Sequence, residues 1–176
     1  MILYHFTSPR YLRSIARHGL TVGDVPTDIE RGLGRIGVWL TSAETAFGHG
    51  LETSTINKSE CRLSIEVRAD APMLVKWSEW APLNVAAATI RSLHSVAAGH
   101  ENWYIFFGII QPTAISSCVK MSTRETIPNW AEVSPPELDL PGVPPWRREA
   151  WHRALLKKVE RALKSRSLIS PAQWPP

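Results

Sequence analysis

The chain has 176 residues, of which 44% are hydrophobic and 20% are charged. This composition is typical of one globular domain and excludes a disordered or fibrous protein. The two cysteines, Cys61 and Cys118, and the six histidines form no zinc-binding motif or disulfide framework, so we expect buried thiols and no metal site. No run approaches the roughly 20 apolar residues that span a bilayer, and the N-terminus is too polar for a signal peptide. A cytoplasmic protein with no membrane partner is therefore expected.

The net charge of +4 is concentrated near the C-terminus. Two glutamates and eight basic residues lie in the segment 147–166. The basic residues are Arg147, Arg148, Arg153, Lys157, Lys158, Arg161, Lys164 and Arg166. The rest of the chain is close to neutral, so attraction to a polyanion such as nucleic acid would depend mainly on this segment.

The first twenty residues predict a strand, a turn and a helix. Residues 2–6 are typical of a short buried strand, with Thr7 or Ser8 as the N-cap of the following helix. Pro9 suits the first helical turn because its missing N–H would be unpaired there. Helical spacing continues through Tyr11, Leu12, Ile15 and Ala16. Gly19 is a suitable residue to end the helix.

The middle of the chain alternates between strand and helix patterns. Glycine, proline and mixed charges predict a loop over 21–35, followed by a strand over 36–41 and a short helix after Ser42. Alternation of apolar and polar residues in "CRLSIEVRA" predicts a half-buried strand from Cys61. An alanine-rich helix is predicted over 82–98. "NWYIFFGII" and "AISSCVKM" predict two further strands.

The C-terminal part has a different composition. Five prolines in 134–145 predict a linker or a wrapping arm, and 146–166 predict a basic helix. The apolar stripe of that helix is Trp151, Leu155, Val159 and Ala162. The last residues, ending in "WPP", are expected to form a loose tail. Helices mixed with strands, without regular alternation, predict the α+β class. We divide the chain into a domain over 1–130 and the arm with its helix, packed on that domain, over 131–176.

Three short motifs resemble those of the ADP-ribosyltransferase superfamily over residues 1–120. The first is Tyr4-His5-Phe6-Thr7-Ser8, followed by a helix and "HGL". The second is "GVWLTSAETAFGHG", in which Trp39 stands where a tyrosine is usual, and the third is "ENWYIFFGIIQP". The nearer relatives would be the DarT-like toxins, the RNA 2′-phosphotransferases and the poly-ADP-ribose polymerases. The resemblance implies one domain with a split antiparallel or mixed sheet.

The resemblance also implies NAD as a substrate and a role for each matching residue. His5 would donate a hydrogen bond to a ribose hydroxyl, and the backbone of Phe6 would hold the carboxamide. Trp39 would stack on the nicotinamide ring. Thr7, Ser42 and Phe47 would supply further contacts. Glu101 would support the positive charge that develops on the ribose as nicotinamide leaves. The position of the family's catalytic glutamate itself aligns with Trp103. Glu44 and Glu66 are weaker candidates for the same role.

The resemblance implies an enzyme of toxin or phage-effector type that transfers ADP-ribose to a macromolecule, with nucleic acid favoured over protein. The cationic residues that could contact such an acceptor are Arg13, Arg17, Arg35, Lys157 and Lys158. One alternative is an RNA 2′-phosphotransferase, whose arginines would grip a phosphate. The other is a non-catalytic module that binds a nucleotide or a partner, which Trp103 in the glutamate's place favours.

Overall fold

The structure is a computed structural model, and it describes residues 1–51, 54–133 and 135–167. Nine strands are described: β1 (Ile2–Thr7), β2 (Asp24–Asp28), β3 (Leu33–Ile36), β4 (Val38–Thr41), β5 (Cys61–Glu66), β6 (Leu74–Lys76), β7 (Trp103–Phe106), β8 (Ile115–Lys120) and β9 (Glu125–Thr126). The α-helices are α1 (Leu12–His18), α2 (Trp77–Asn84), α3 (Ala87–Ser95) and α4 (Arg148–Ser167). The α+β class predicted from the sequence is confirmed.

The strands form one large sheet and one small one. The large sheet has seven strands in the order β6-β7-β4-β1-β5-β8-β9, and each neighbouring pair is antiparallel. The second sheet is the antiparallel pair of β2 and β3. Of the antiparallel and mixed arrangements that we left open, the large sheet has the antiparallel one.

The central strand β1 is paired very differently on its two sides. It pairs with β5 along its whole length, from Ile2 opposite Glu66 to Thr7 opposite Cys61. On the other side it pairs with β4 only where Tyr4 lies opposite Thr41. The sheet therefore opens between the second half of β1 and the first half of β4.

Alternation along the strands divides the apolar side chains between two cores on opposite faces of the sheet. One core packs Leu3, Leu40 and Leu63 against Leu12 and Ile15 of α1. The other core, called the tryptophan core below, gathers Trp39, Trp77, Trp80 and Trp103 with α2 and Val25 of the small sheet. Its buried members are Val25, Trp77, Ala81, Val85, Ala97, Trp103 and Ile105. Both Cys61 and Cys118 are free and buried, as predicted, in the first core.

The opening motif folds largely as predicted. Ser8 and Pro9 begin a short 3-10 turn that leads into α1, although the Ser8 side chain makes no capping hydrogen bond. Gly19 ends α1 with φ of 76°, a conformation that favours glycine. The predicted strand, turn and helix are therefore confirmed, and the predicted side-chain cap is wrong.

Four local predictions are wrong. The loop over 21–35 contains the β2–β3 hairpin, and the segment 42–47 is bends and turns rather than a helix. The helix over 82–98 is two helices, α2 and α3, with a break at Val85 and Ala86. The strand in "NWYIFFGII" is only β7, because the chain leaves the ladder before Gly108. At the helix break the backbone N–H of Ala86 donates to the Thr27 carbonyl of β2 at 2.8 Å instead of to a helical carbonyl.

The C-terminal arm packs against the domain and leads into α4. Leu140 donates its backbone N–H to the Arg10 carbonyl, and Arg13 forms an ion pair with Asp139 at 3.1 Å. Arg148 then donates to the Thr21 carbonyl at 2.6 Å. The predicted basic helix is confirmed, with its start two residues later. The predicted tail after residue 167 lies outside the described residues.

Across the described residues, none of the helices combines the length and the apolar character that crossing a bilayer requires.

Candidate functional site

A cavity of about 640 Å³ lies where β1 and β4 separate. This volume is in the range that small-molecule sites occupy. Its walls come from β1, β4, the N-terminal end of β2, α1, the arm and α4. The residues contributed by the two separating strands are Tyr4, His5, Phe6, Thr7, Trp39, Leu40 and Thr41. The cavity is thus a product of the incomplete pairing of β1.

His5 bridges the gap between the two strands with its side chain. Its Nδ1 lies 2.9 Å from the carbonyl oxygen of Trp39, which can only accept, so Nδ1 carries the proton. Burial lowers the pKa of His5 to about 4; the hydrogen bond to Trp39 opposes this shift, and the charge of Lys58 adds to it. The ring is therefore neutral at pH 7, and its Nε2 has a free lone pair. In this tautomer Nε2 can only accept a hydrogen bond from a ligand hydroxyl, whereas we expected the ring to donate one.

Trp39 belongs to the cavity wall and to the tryptophan core at once. Its ring centroid lies 5.2 Å from that of Trp77 and 5.1 Å from that of Trp103. Its Nε1 donates to the Asp24 carbonyl at 2.7 Å. The indole is consequently fixed in orientation on several sides. A fixed aromatic wall is suited to stacking on a flat ligand ring.

The cavity contains charged groups of both signs. Lys58, from the segment before β5, and Asp24, at the start of β2, both line it. The Asp24 Oδ1 is buried and has no hydrogen-bond partner among the described residues. Burial raises the pKa of Asp24, and the charge of His152 on α4 opposes this shift. The cavity can therefore bind an anionic group of a ligand through Lys58 and a cationic group of the same ligand through Asp24.

His49 completes the wall on the tryptophan side. Its Nδ1 accepts a hydrogen bond from Trp103 Nε1 at 2.9 Å, and its ring stacks on Phe6 with centroids 6.1 Å apart. Because Nδ1 accepts, the neutral ring carries its proton on Nε2, which lies 3.5 Å from Thr41 Oγ1. These contacts hold Trp103 and Phe6 against the same part of the cavity.

The arm and α4 cover the cavity from the side of α1. Pro141, Gly142 and Val143 of the arm line it together with Trp151 and Leu155 of α4. The Thr21 side chain donates to the Val143 carbonyl at 2.5 Å, which fixes the arm at the edge of the cavity. The C-terminal segment is therefore part of the site.

The structure brings together only some of the residues predicted for the site. His5, Phe6, Thr7 and Trp39 all line the cavity. The other predicted residues, Ser42, Phe47 and Glu101, are exposed and are not among the lining residues. Phe47 is 85% exposed.

Glu101 lies in a 3-10 turn before β7, outside the cavity lining. It accepts a hydrogen bond from Asn102, whose amide oxygen accepts one from Ser42. The weaker candidate Glu44 is held by Arg62 at 2.8 Å and by the Tyr4 hydroxyl at 3.1 Å, and it does not line the cavity either. Trp103, by contrast, is a wall residue.

Two of the three arginines that we expected to contact phosphate, Arg13 and Arg35, have other contacts. Arg13 pairs with Asp139 and so holds the arm, as does Arg10, which donates to the Leu138 carbonyl. The Arg35 guanidinium lies 4.2 Å from the centre of the Phe107 ring. Arg17 is exposed on α1.

Sequence reasoning missed most of the lining outside β1 and β4. Asp24 was assigned to a loop, and Lys58 follows a segment without a clear pattern. Pro141, Gly142 and Val143 were placed in the arm without a role in the site. The one available signal was the apolar stripe of α4, since Trp151 and Leu155 had to face something apolar.

No family model, curated protein or solved structure matches this chain. Within the described part of the chain, no group of three or more His, Cys, Asp or Glu side chains is placed to hold a metal ion.

Proposed function

We propose that the protein binds NAD⁺ in the cavity between β1 and β4 and transfers its ADP-ribose group to a macromolecular acceptor. The observation that carries this proposal is the shared position of His5 and Trp39 on the wall of one cavity, at the point where their strands separate. The resemblance of the sequence motifs around both residues to ADP-ribosyltransferases supports the same conclusion.

The chemistry of the lining suits the nicotinamide end of NAD⁺. Trp39 offers a fixed aromatic face for the ring, and the neutral His5 offers Nε2 to a ribose hydroxyl. Lys58 supplies a positive charge for the pyrophosphate. Asp24 supplies a negative charge that a cationic ring would complement.

The proposed reaction breaks the bond between ribose C1′ and the nicotinamide nitrogen. The electron pair of this bond leaves with nicotinamide, whose ring becomes neutral, and positive charge develops at C1′. An acceptor oxygen or nitrogen then forms the new bond to C1′ and releases one proton to solvent. Groups already oriented in a cavity stabilise such charge more effectively than water, which must reorganise.

The charge distribution favours nucleic acid as the acceptor. The outward-facing cations of α4 are Arg153, Lys157, Lys158, Arg161 and Lys164. Trp151 and Leu155 of the same helix line the cavity. A phosphate backbone bound along α4 would therefore lie next to the reaction site. Transfer to an oligonucleotide that falls in a Lys157→Glu/Lys158→Glu variant would support this choice, and transfer to protein alone would contradict it.

The test of the function is the release of nicotinamide from NAD⁺, measured by chromatography together with the thermal stabilisation that NAD⁺ gives. We expect release by the wild type and a loss of about 100-fold or more in His5→Ala and in Trp39→Ala. Trp146→Ala is the matched control, because this tryptophan is 77% exposed and does not line the cavity. All three variants should unfold cooperatively.

Different failures of this test have different meanings. A wild type that neither binds NAD⁺ nor releases nicotinamide contradicts the proposal. Stabilisation by NAD⁺ without any release supports the non-catalytic binding module instead. The phosphotransferase alternative predicts complete loss of activity when Arg13, Arg17 and Arg35 are replaced; their positions outside the cavity lining favour ADP-ribose transfer.

A further inference from the structure

Asp24 is the one carboxylate among the described residues that line the cavity. It precedes Val25, a fully buried residue of the tryptophan core, so the backbone at this point is well fixed. Its own carbonyl accepts the hydrogen bond from Trp39 Nε1 at 2.7 Å. The same residue that carries this carboxylate therefore also fixes the orientation of the Trp39 indole.

The carboxylate of Asp24 is unusual because one of its oxygens is buried without a partner. Oδ1 has no hydrogen-bond donor among the described residues, although such a group normally has one. Gly34 of β3 makes room for this oxygen, since a Cβ at that position would lie 3.0 Å from it. A carboxylate oxygen that is buried without a hydrogen-bond donor is costly for the protein. Burial also raises the pKa of Asp24, because it disfavours the charged form of the carboxyl group.

From this arrangement we infer that Asp24 recognises the positive charge of the nicotinamide ring and stabilises the charge that passes to ribose C1′ when the ring leaves. The inference rests on the proposed function. It explains why a carboxylate lies beside an indole in this cavity: a cationic ring stacked on Trp39 would lie close to the carboxylate of Asp24 as well. It also transfers the role expected of Glu101, which is exposed outside the cavity lining, to a residue inside.

The inference predicts a preference between two ligands of nearly the same shape. NAD⁺ carries a positive nicotinamide ring, whereas the ring of NADH is neutral. We expect the wild type to bind NAD⁺ about 10-fold more tightly than NADH, which corresponds to about 1.4 kcal/mol. Asp24→Asn, which keeps the size of the side chain and removes its charge, should bind the two dinucleotides equally well.

Calorimetric titration with both dinucleotides, together with nicotinamide release, tests the inference. Release should fall about 100-fold in Asp24→Asn. Asp70→Asn is the matched control, because Asp70 is exposed in an ion pair with Arg68 and should change neither quantity. Asp24→Ser provides a second neutral variant in case the asparagine does not fold. It removes the charge and leaves no amide in the cavity.

The outcomes separate the inference from the function on which it depends. A wild type that binds neither dinucleotide contradicts the proposed function and this inference with it. If the wild type releases nicotinamide and the Asp24 variants keep both the rate and the preference for NAD⁺, only the inference is overturned. Loss of release in Glu101→Gln, with full activity in Asp24→Asn, would return the role to Glu101.

Discussion

The two edges of β1 differ in what holds them to their neighbours. Toward β5 the strand pairs at every residue, and side chains such as Leu3 and Leu63 are completely buried. Toward β4 it pairs only at Tyr4, and the next connection is the imidazole of His5 bonded to the Trp39 carbonyl. One strand thus supports the core on one side and forms the wall of a cavity on the other.

The paired edge of β1 is stabilised by the burial of apolar side chains, whereas the open edge depends on one polar side chain that satisfies a backbone carbonyl. A continuous ladder satisfies its own backbone groups, so the paired edge needs only apolar side chains of suitable size. At the open edge a side chain must satisfy a backbone carbonyl, and few residue types can do so. We therefore expect substitutions at the paired edge to affect stability, and those at the open edge to affect pH dependence and ligand binding.

The largest expected effect is the truncation of a core side chain on the paired edge. Leu63 lies opposite His5 and is fully buried, so Leu63→Ala should lower the free energy of unfolding by about 2–5 kcal/mol. Urea denaturation measures this quantity. Ile2→Ala on β1 is the control, since Ile2 is 54% exposed and should change it by about 0.5 kcal/mol or less. Equal losses in the two variants would contradict the difference in burial.

The second prediction concerns acid stability at the open edge. The unfolded chain takes up a proton on His5 near pH 6.5, whereas the folded ring does so only near pH 4. The unfolded state therefore binds more protons in this range, and acid favours it. The stability present above pH 6.5 should fall by up to about 3 kcal/mol as the pH is lowered to 4.

Comparison with His5→Gln isolates this contribution. Denaturation of both proteins between pH 4 and 7 should show a steeper loss for the wild type, because the variant lacks the titrating ring. Other histidines, such as His94, titrate equally in both proteins and cancel in the difference. Parallel pH profiles would show that the imidazole of His5 is not buried as described.

An intermediate effect is expected where the arm crosses α1. A Cβ on Gly142 would overlap the Ser14 side chain, so Gly142→Ala must displace the arm. We expect a loss of about 1–3 kcal/mol and faster proteolysis within 134–145. Ser14→Ala in the same chain removes the overlapping oxygen and should restore part of the stability. A Gly142→Ala variant as resistant to protease as the wild type would contradict the close approach.

The smallest effect is expected at the ion pair that holds the arm. Arg13 and Asp139 are partly exposed, so water screens their attraction. A double-mutant cycle with Arg13→Ala and Asp139→Ala should give a coupling of about 0.2–1 kcal/mol. A coupling well above this range would mean that the arm is held mainly by charge rather than by its backbone contacts.

Much of the fold could be predicted because the local signals were strong. The strand, turn and helix of residues 2–20 have an apolar run, a proline and a terminal glycine in the expected order, and they form as predicted. The β2–β3 hairpin was missed because its proline and glycines are typical of a loop. Pro26 is tolerated in a two-stranded sheet, and Gly32 packs against Val159 and Leu163 of α4, a contact that no local pattern reveals.

The site was less predictable than the fold, for a related reason. His5 and Trp39 lie on two strands with clear patterns, so their place on one cavity wall could be anticipated. Asp24, Lys58 and the arm reach the cavity only through tertiary packing. Glu101 lay close to the expected position in sequence, but the 3-10 turn before β7 leaves it exposed.

Hydrogen–deuterium exchange with and without NAD⁺ tests the central claim most directly, because it reports on the strands of the cavity and on the rest of the sheet at once. We predict that NAD⁺ slows exchange in peptides covering 36–41 and 2–7 and leaves residues 115–120 of the distant strand β8 unchanged. Unchanged exchange throughout, or protection confined to α4, would contradict a dinucleotide site between β1 and β4.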